Sequence, residues 1–152
     1  HVTVDYRGRE FPTGNRGALE AYASAGAVVE RYREAVRQAN PDRELPEEIT
    51  CSRVAEWAAE GCEVAGAVFE ETGVILGAFL AGMANALNPE MAVIGGGVAA
   101  AGELLFGPMR LTCRARAFPA AGARMKVVPA ELGNDAGFLG AAGLALHRLE
   151  NE

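Results

Sequence analysis

The sequence predicts an α/β fold, and three observations carry that expectation. Two short apolar runs, Met91–Ile94 and Met125–Pro129, are bounded by proline or glycine and are too short to be helices. Around them lie longer stretches with helical spacing, closed off by Asn40-Pro41 and Asn88-Pro89. From the long central helix onward the order is helix, strand, helix, strand, helix, which is that of an α/β protein.

Each element follows from its own residues. Val2 and Val4 alternate with polar residues before a turn at Tyr6-Arg7-Gly8-Arg9, the pattern of the end of a strand or hairpin. The loop from Phe11 to Gly17 leads into a helical stretch over Ala18–Ser24, and a second helix is expected over Ala27–Ala39. An acidic, proline-containing linker follows, with Glu44, Glu47 and Glu48 solvated. Ser52 then reads as the N-cap of a helix over Arg53–Glu60. In that helix Val54 and Trp57 share a buried stripe. A long helix is expected over Glu63–Leu87, where Gly73 and Gly77, four residues apart, mark a close helix crossing. Its apolar stretch, Val74–Leu87, is interrupted by two glycines and Asn85 and reads as a core helix, too short to span a bilayer. Met91–Ile94 reads as a strand buried on both faces. A helix from Val98 or Ala101 to Ala117, the second strand, and a last helix over Ala136–Leu149 complete the chain, with His147 near its end as a surface residue complementing the helix dipole.

Composition narrows the classes. With 152 residues, 50% of them hydrophobic, the chain can bury a core. A net charge of −6 argues against non-specific nucleic-acid binding, which needs a basic cluster, and no such cluster is read here. Cys51, Cys62 and Cys113 are odd in number and far apart, as expected of buried thiols in a reducing cytosol. The opening His1-Val2-Thr3-Val4-Asp5 has neither the basic start nor the apolar run of a signal peptide, so a cytoplasmic protein is expected.

Two places could carry chemistry. The first is the strand running into Gly95-Gly96-Gly97 and then a helix. Glycines there admit positive φ and close approach of a ligand, and a helix start favours an anion. The same residues also suit a tight turn without a ligand. Gly95 to Ala100 matches a dinucleotide fingerprint, G-x-G-x-x-A, but the ribose-binding acid about 20 residues on is missing, since no Asp or Glu lies between Glu103 and Glu131. A nicotinamide-dependent enzyme is therefore disfavoured. The second place is His1 with Glu20, a pair able to bind neighbouring sugar hydroxyls. A Glu in the first turn of a helix more often only complements the helix dipole.

Taken in order, His1, Gly14-Asn15-Arg16-Gly17, Leu19-Glu20-Ala21-Tyr22-Ala23-Ser24, Ala84 to Glu90, Val93-Ile94-Gly95-Gly96-Gly97-Val98 and Leu132 to Ala142 resemble the C-terminal half of the ROK family (repressors, open reading frames and kinases), in particular its bacterial glucokinases. The resemblance covers nearly the whole chain. It implies the C-terminal lobe, residues 1–152, of an actin-like or ribonuclease-H-like ATPase fold, with sugar and nucleotide bound between two lobes. The implied activity is ATP-dependent phosphorylation of a hexose 6-hydroxyl with Mg²⁺. His1 and Glu20 would contact the sugar, and Gly96 and Gly97 would lie against the adenosine of ATP. The phosphate-binding loop and the general-base aspartate would lie upstream of His1, so this chain alone would not turn over. The last helix would pack on the other lobe, and a homo-oligomer is expected.

One departure stands out. The family commonly holds a structural zinc with the equivalent of His1 and three cysteines, and here Phe11, Thr13 and Ala18 occupy the cysteine positions. A single imidazole cannot complete a tetrahedral site, so no zinc is expected and the loop is expected to be held by packing of Phe11 and Pro12. The resemblance also implies an alternative, the effector and oligomerisation lobe of a sugar-responsive transcription repressor.

Overall fold

A computed structural model describes residues 1–150; the last two residues of the span read as one lobe lie outside it. The helices are α1 (Glu20–Ala23), α2 (Ala25–Ala39), α3 (Cys51–Ala59), α4 (Glu63–Leu87), α5 (Glu103–Arg116), α6 (Pro119–Arg124) and α7 (Ala136–Glu150). Two strands, β1 (Met91–Ile94) and β2 (Lys126–Pro129), pair in parallel with Met91 opposite Lys126, and α5 and α6 form the crossover between them.

The centre of the molecule is α4. It buries Ala65, Val68, Phe69, Thr72, Gly73, Gly77, Leu80, Ala81 and Ala84 against α2, α3 and above all α5. At 25 residues it is longer than the apolar stretch read from the sequence, and by length and composition alone it would reach across a bilayer. Its packing on three helices accounts for that apolarity instead. The crossing with α5 depends on the two glycines: a Cβ on Gly73 would stand 2.6 Å from the carbonyl oxygen of Leu105, and one on Gly77 would stand 2.5 Å from that of Met109. Behind this seam, Arg31 of α2 donates to the Thr72 hydroxyl at 2.6 Å, and that hydroxyl donates to the Val68 carbonyl. Burial pulls the Arg31 guanidinium below its ordinary pKa, with Glu71 opposing the shift.

Several boundaries move. The first helical stretch, expected over Ala18–Ser24, narrows to Glu20–Ala23, and Ser24, extended and with its hydroxyl accepting from the Ala27 amide at 3.2 Å, caps α2, which starts at Ala25 rather than Ala27. The N-cap of α3 is Thr50, not Ser52; its side chain accepts from the Arg53 amide at 3.2 Å. Asn88 closes α4 in the left-handed conformation, with φ 47°, and Pro89 prevents its continuation. The helix expected directly after the glycines starts only at Glu103, because Gly102 breaks the backbone with φ 59° after a short 3-10 turn at Ala99–Ala101. The short helix α6 is absent from the sequence reading; Pro119 begins it.

β1 is not buried on both faces. Ala92 and Ile94 pack on the core, while Met91 and Val93 are 51% and 59% exposed. The same holds for α7, whose Phe138, Leu139, Leu144, Leu146 and Leu149 are exposed and which packs chiefly on the turn before it. Of the three thiols, Cys51 and Cys113 are buried, and burial pushes both up in pKa, whereas Cys62 is half-buried at the start of α4. Trp57 is half-buried rather than part of a fully buried stripe, stacked on buried Tyr32 at 5.2 Å and with the Arg53 guanidinium 5.1 Å from its ring centroid.

Candidate functional site

The segment before α1 folds back on itself in two isolated antiparallel bridges, Thr3 with Ala18 and Glu10 with Arg16. Gly17 makes this possible. It has φ 65°, its carbonyl accepts from the Val4 amide at 2.8 Å, and a Cβ there would lie 1.6 Å from the Asp5 carbonyl oxygen. Asn15 ties the layers together: its side-chain amide donates to the His1 carbonyl at 2.8 Å, and its Oδ1 accepts from the Thr3 hydroxyl at 3.1 Å. The Tyr22 hydroxyl of α1 accepts from the Arg9 amide at 2.8 Å. The loop is therefore held by hydrogen bonds, with Phe11 half-buried and Pro12 exposed, rather than by packing of those two residues.

This arrangement brings His1 and Glu20 together. His1 Nδ1 lies 3.7 Å from Glu20 Oε2, both side chains are at least half exposed, and the Phe11 ring stands 5.9 Å from the imidazole. Glu20 opens a helix of only four residues, which has little dipole to complement. Glu20 lines a cavity of about 320 Å³ with Phe11, Ser24, Gly26 and Glu30. At the positions where the family carries zinc-binding cysteines, Phe11 faces His1, Thr13 is exposed and Ala18 is fully buried, so this donor set does not fit a zinc ion. Among the described residues, no group of three or more His, Cys, Asp or Glu side chains is placed to hold a metal.

The second place lies at the end of β1. Gly96 has φ 86°, and a Cβ there would meet nothing within 4 Å; a Cβ on Gly97 would touch Ala25 of α2 at 3.9 Å. The anion site expected from a helix start is reduced to one 3-10 turn, since α5 begins beyond Gly102. Ala25 in turn lines a groove of about 700 Å³ between α2 and Ile49–Cys51. This groove and the Glu20 cavity share Gly26 and Glu30 in their walls, so the first turns of α2 join the two candidate places. The sequence reading missed α2 as part of the site. Ser24, a helix-capping residue type, was the signal available: it starts α2 so that Gly26 lines both cavities and Ala25 the groove.

The ROK family profile matches residues 1–148. The chain belongs to the ROK family. It is 33% identical to a glucokinase of Thermotoga maritima over 98% of this chain and 49% of that protein. It is 31% identical to a xylose repressor of Caldicellulosiruptor bescii over 96% of this chain and 38% of that protein. The structure superposes on a ROK glucokinase from Streptomyces griseus, solved with glucose and AMPPNP, with TM-score 0.83 and 31% identity, covering 95% of this chain and 49% of that one. The ROK chain thus spans about half or less of these relatives, and its α/β architecture is that of the actin-like ATPase fold of the ROK sugar kinases.

Proposed function

We propose that this ROK chain is the C-terminal lobe of an ATP-dependent, glucokinase-like hexose kinase that phosphorylates the sugar 6-hydroxyl. The observation that carries the reading is the adjacency of the Glu20 cavity and the groove beside Gly97 across Gly26 and Glu30. Phosphoryl transfer requires the two reactants to be held side by side, and positioning is the largest contribution such a lobe can make. The Glu20 carboxylate accepts hydrogen bonds from two neighbouring sugar hydroxyls, and His1, whose Nδ1 stands 3.7 Å from Glu20 Oε2, contacts the same sugar. Gly96 and Gly97 leave the space above β1 open for the adenosine. Mg²⁺ accompanies the nucleotide phosphates, and no side chain of this chain is assigned to it. The general base belongs to the other lobe, against which the exposed apolar residues of α7 and β1 pack. The intact protein is a cytoplasmic homo-oligomer in this reading.

The repressor relatives favour a second reading, in which the same sugar pocket serves as an effector site. A coupled assay of glucose phosphorylation by the intact protein separates the two. ATP-dependent formation of glucose 6-phosphate supports the kinase; sugar binding without turnover supports the repressor lobe.

A further inference from the structure

The stretch 104–130 contains no Asp or Glu and five basic residues, Arg110, Arg114, Arg116, Arg124 and Lys126, within a chain of net charge −6. The basic cluster denied by overall composition is therefore present, concentrated on α5, α6 and the start of β2. Four of the five line one cavity of about 400 Å³, alongside Cys113 and Met125. Two of those are already neutralised. Arg110 donates to both Glu103 oxygens at 2.8 and 2.9 Å and to the Val127 carbonyl at 2.9 Å, and Arg124 pairs with Glu90. Arg114 and Lys126 are exposed and make no ion pair or side-chain hydrogen bond among the described residues. Two uncompensated cations on one concavity repel each other unless an anion stands between them, and a cleft lined by one sign of charge concentrates such anions.

The cavity is separate from the proposed sugar and nucleotide places. Lys126 opens β2 opposite Met91, at the start of both strands, whereas the Gly95–Gly97 turn follows their ends. Four residues of strand separate the two poles by roughly 13 Å. We propose that the α5–α6–β2 cavity binds a phosphate group, held by the planar fork of Arg114 and the point charge of Lys126. A cavity of this size admits free phosphate or the head of a phosphorylated small molecule.

The test is calorimetric titration of the intact protein with inorganic phosphate and, separately, with glycerol phosphate, a phosphomonoester that carries no hexose. The wild type is compared with Arg114→Ser/Lys126→Ser. Saturable binding is expected, weakened roughly tenfold or more by the double substitution, reduced at raised salt, and unchanged in Glu20→Gln, which isolates this cavity from the sugar pocket. Tighter binding of glycerol phosphate identifies a phosphomonoester ligand; equal binding identifies free phosphate. Non-saturating heats in the wild type, or saturable binding untouched by the double substitution, would overturn the proposal. So would a double variant whose only change is its oligomeric state, which would assign the patch to a protein surface. Thermal melting checks folding, and Lys126→Met alone reads the site if the double variant does not fold.

Discussion

In α4, a Cβ on Gly77 would stand 2.5 Å from the carbonyl oxygen of Met109, whereas one on Gly96, at the end of β1, would meet no atom within 4 Å. Gly77 is helical, and what it lacks is room. Gly96 has room but holds φ 86°, which L side chains rarely adopt. The first glycine lets two helices close on each other and belongs to the core. The second shapes a turn whose outer side is open. A run of glycines in the sequence thus has two meanings, and only the surrounding packing separates them.

The same substitution at both positions breaks this comparison if it is wrong. Gly77→Leu forces α5 away from α4 and is expected to lower stability by about 3 kcal/mol or more, measured by denaturant titration. Gly96→Leu meets no clash and should lose only about 1–2 kcal/mol, from the left-handed backbone. In the intact protein, under the proposed kinase reading, it should also raise the KM for ATP by about tenfold, equivalent to ~1.4 kcal/mol, and leave the KM for sugar unchanged, because the new side chain fills the space proposed for the adenosine. An unchanged KM for ATP in a folded variant would mean that the turn faces no ligand. The smallest effect concerns the loop before α1. Since hydrogen bonds from Asn15, Tyr22 and Gly17 hold it, a chelator should leave the melting temperature unchanged, and elemental analysis should find less than stoichiometric zinc.

Much of this architecture was legible in the sequence because it is written in local signals. Asn40-Pro41 and Asn88-Pro89 stop helices by removing a donor and by steric conflict, and both stops stand where expected. The spacing of Gly73 and Gly77 foretold the α4–α5 seam. What was misread depends on the neighbourhood. The run Met91–Ile94 has the composition of a strand covered on both sides, yet a four-residue apolar run reads alike whether one face or two are covered. The choice of Thr50 over Ser52 as cap turned on which hydroxyl reaches a free amide, which residue type alone does not decide. His1 and Glu20 are a sugar-binding pair by residue type and by the family resemblance, and the crossings of Thr3 with Ala18 and Val4 with Gly17 supply the physical reason that they meet. The basic cavity was overlooked because net charge averages over the surface and conceals a local excess.

The most direct test of the account is sugar affinity in Glu20→Gln, measured by calorimetry on the intact protein with stability followed in parallel. A carboxylate accepting two hydrogen bonds from sugar hydroxyls makes charge-assisted contacts of about 1.5–3 kcal/mol each, and an amide oxygen replaces them poorly. Sugar binding should weaken roughly ten- to a hundred-fold while ATP binding and the melting temperature stay where they are. Unchanged sugar affinity in the folded variant would contradict the assignment of the Glu20 cavity to the sugar.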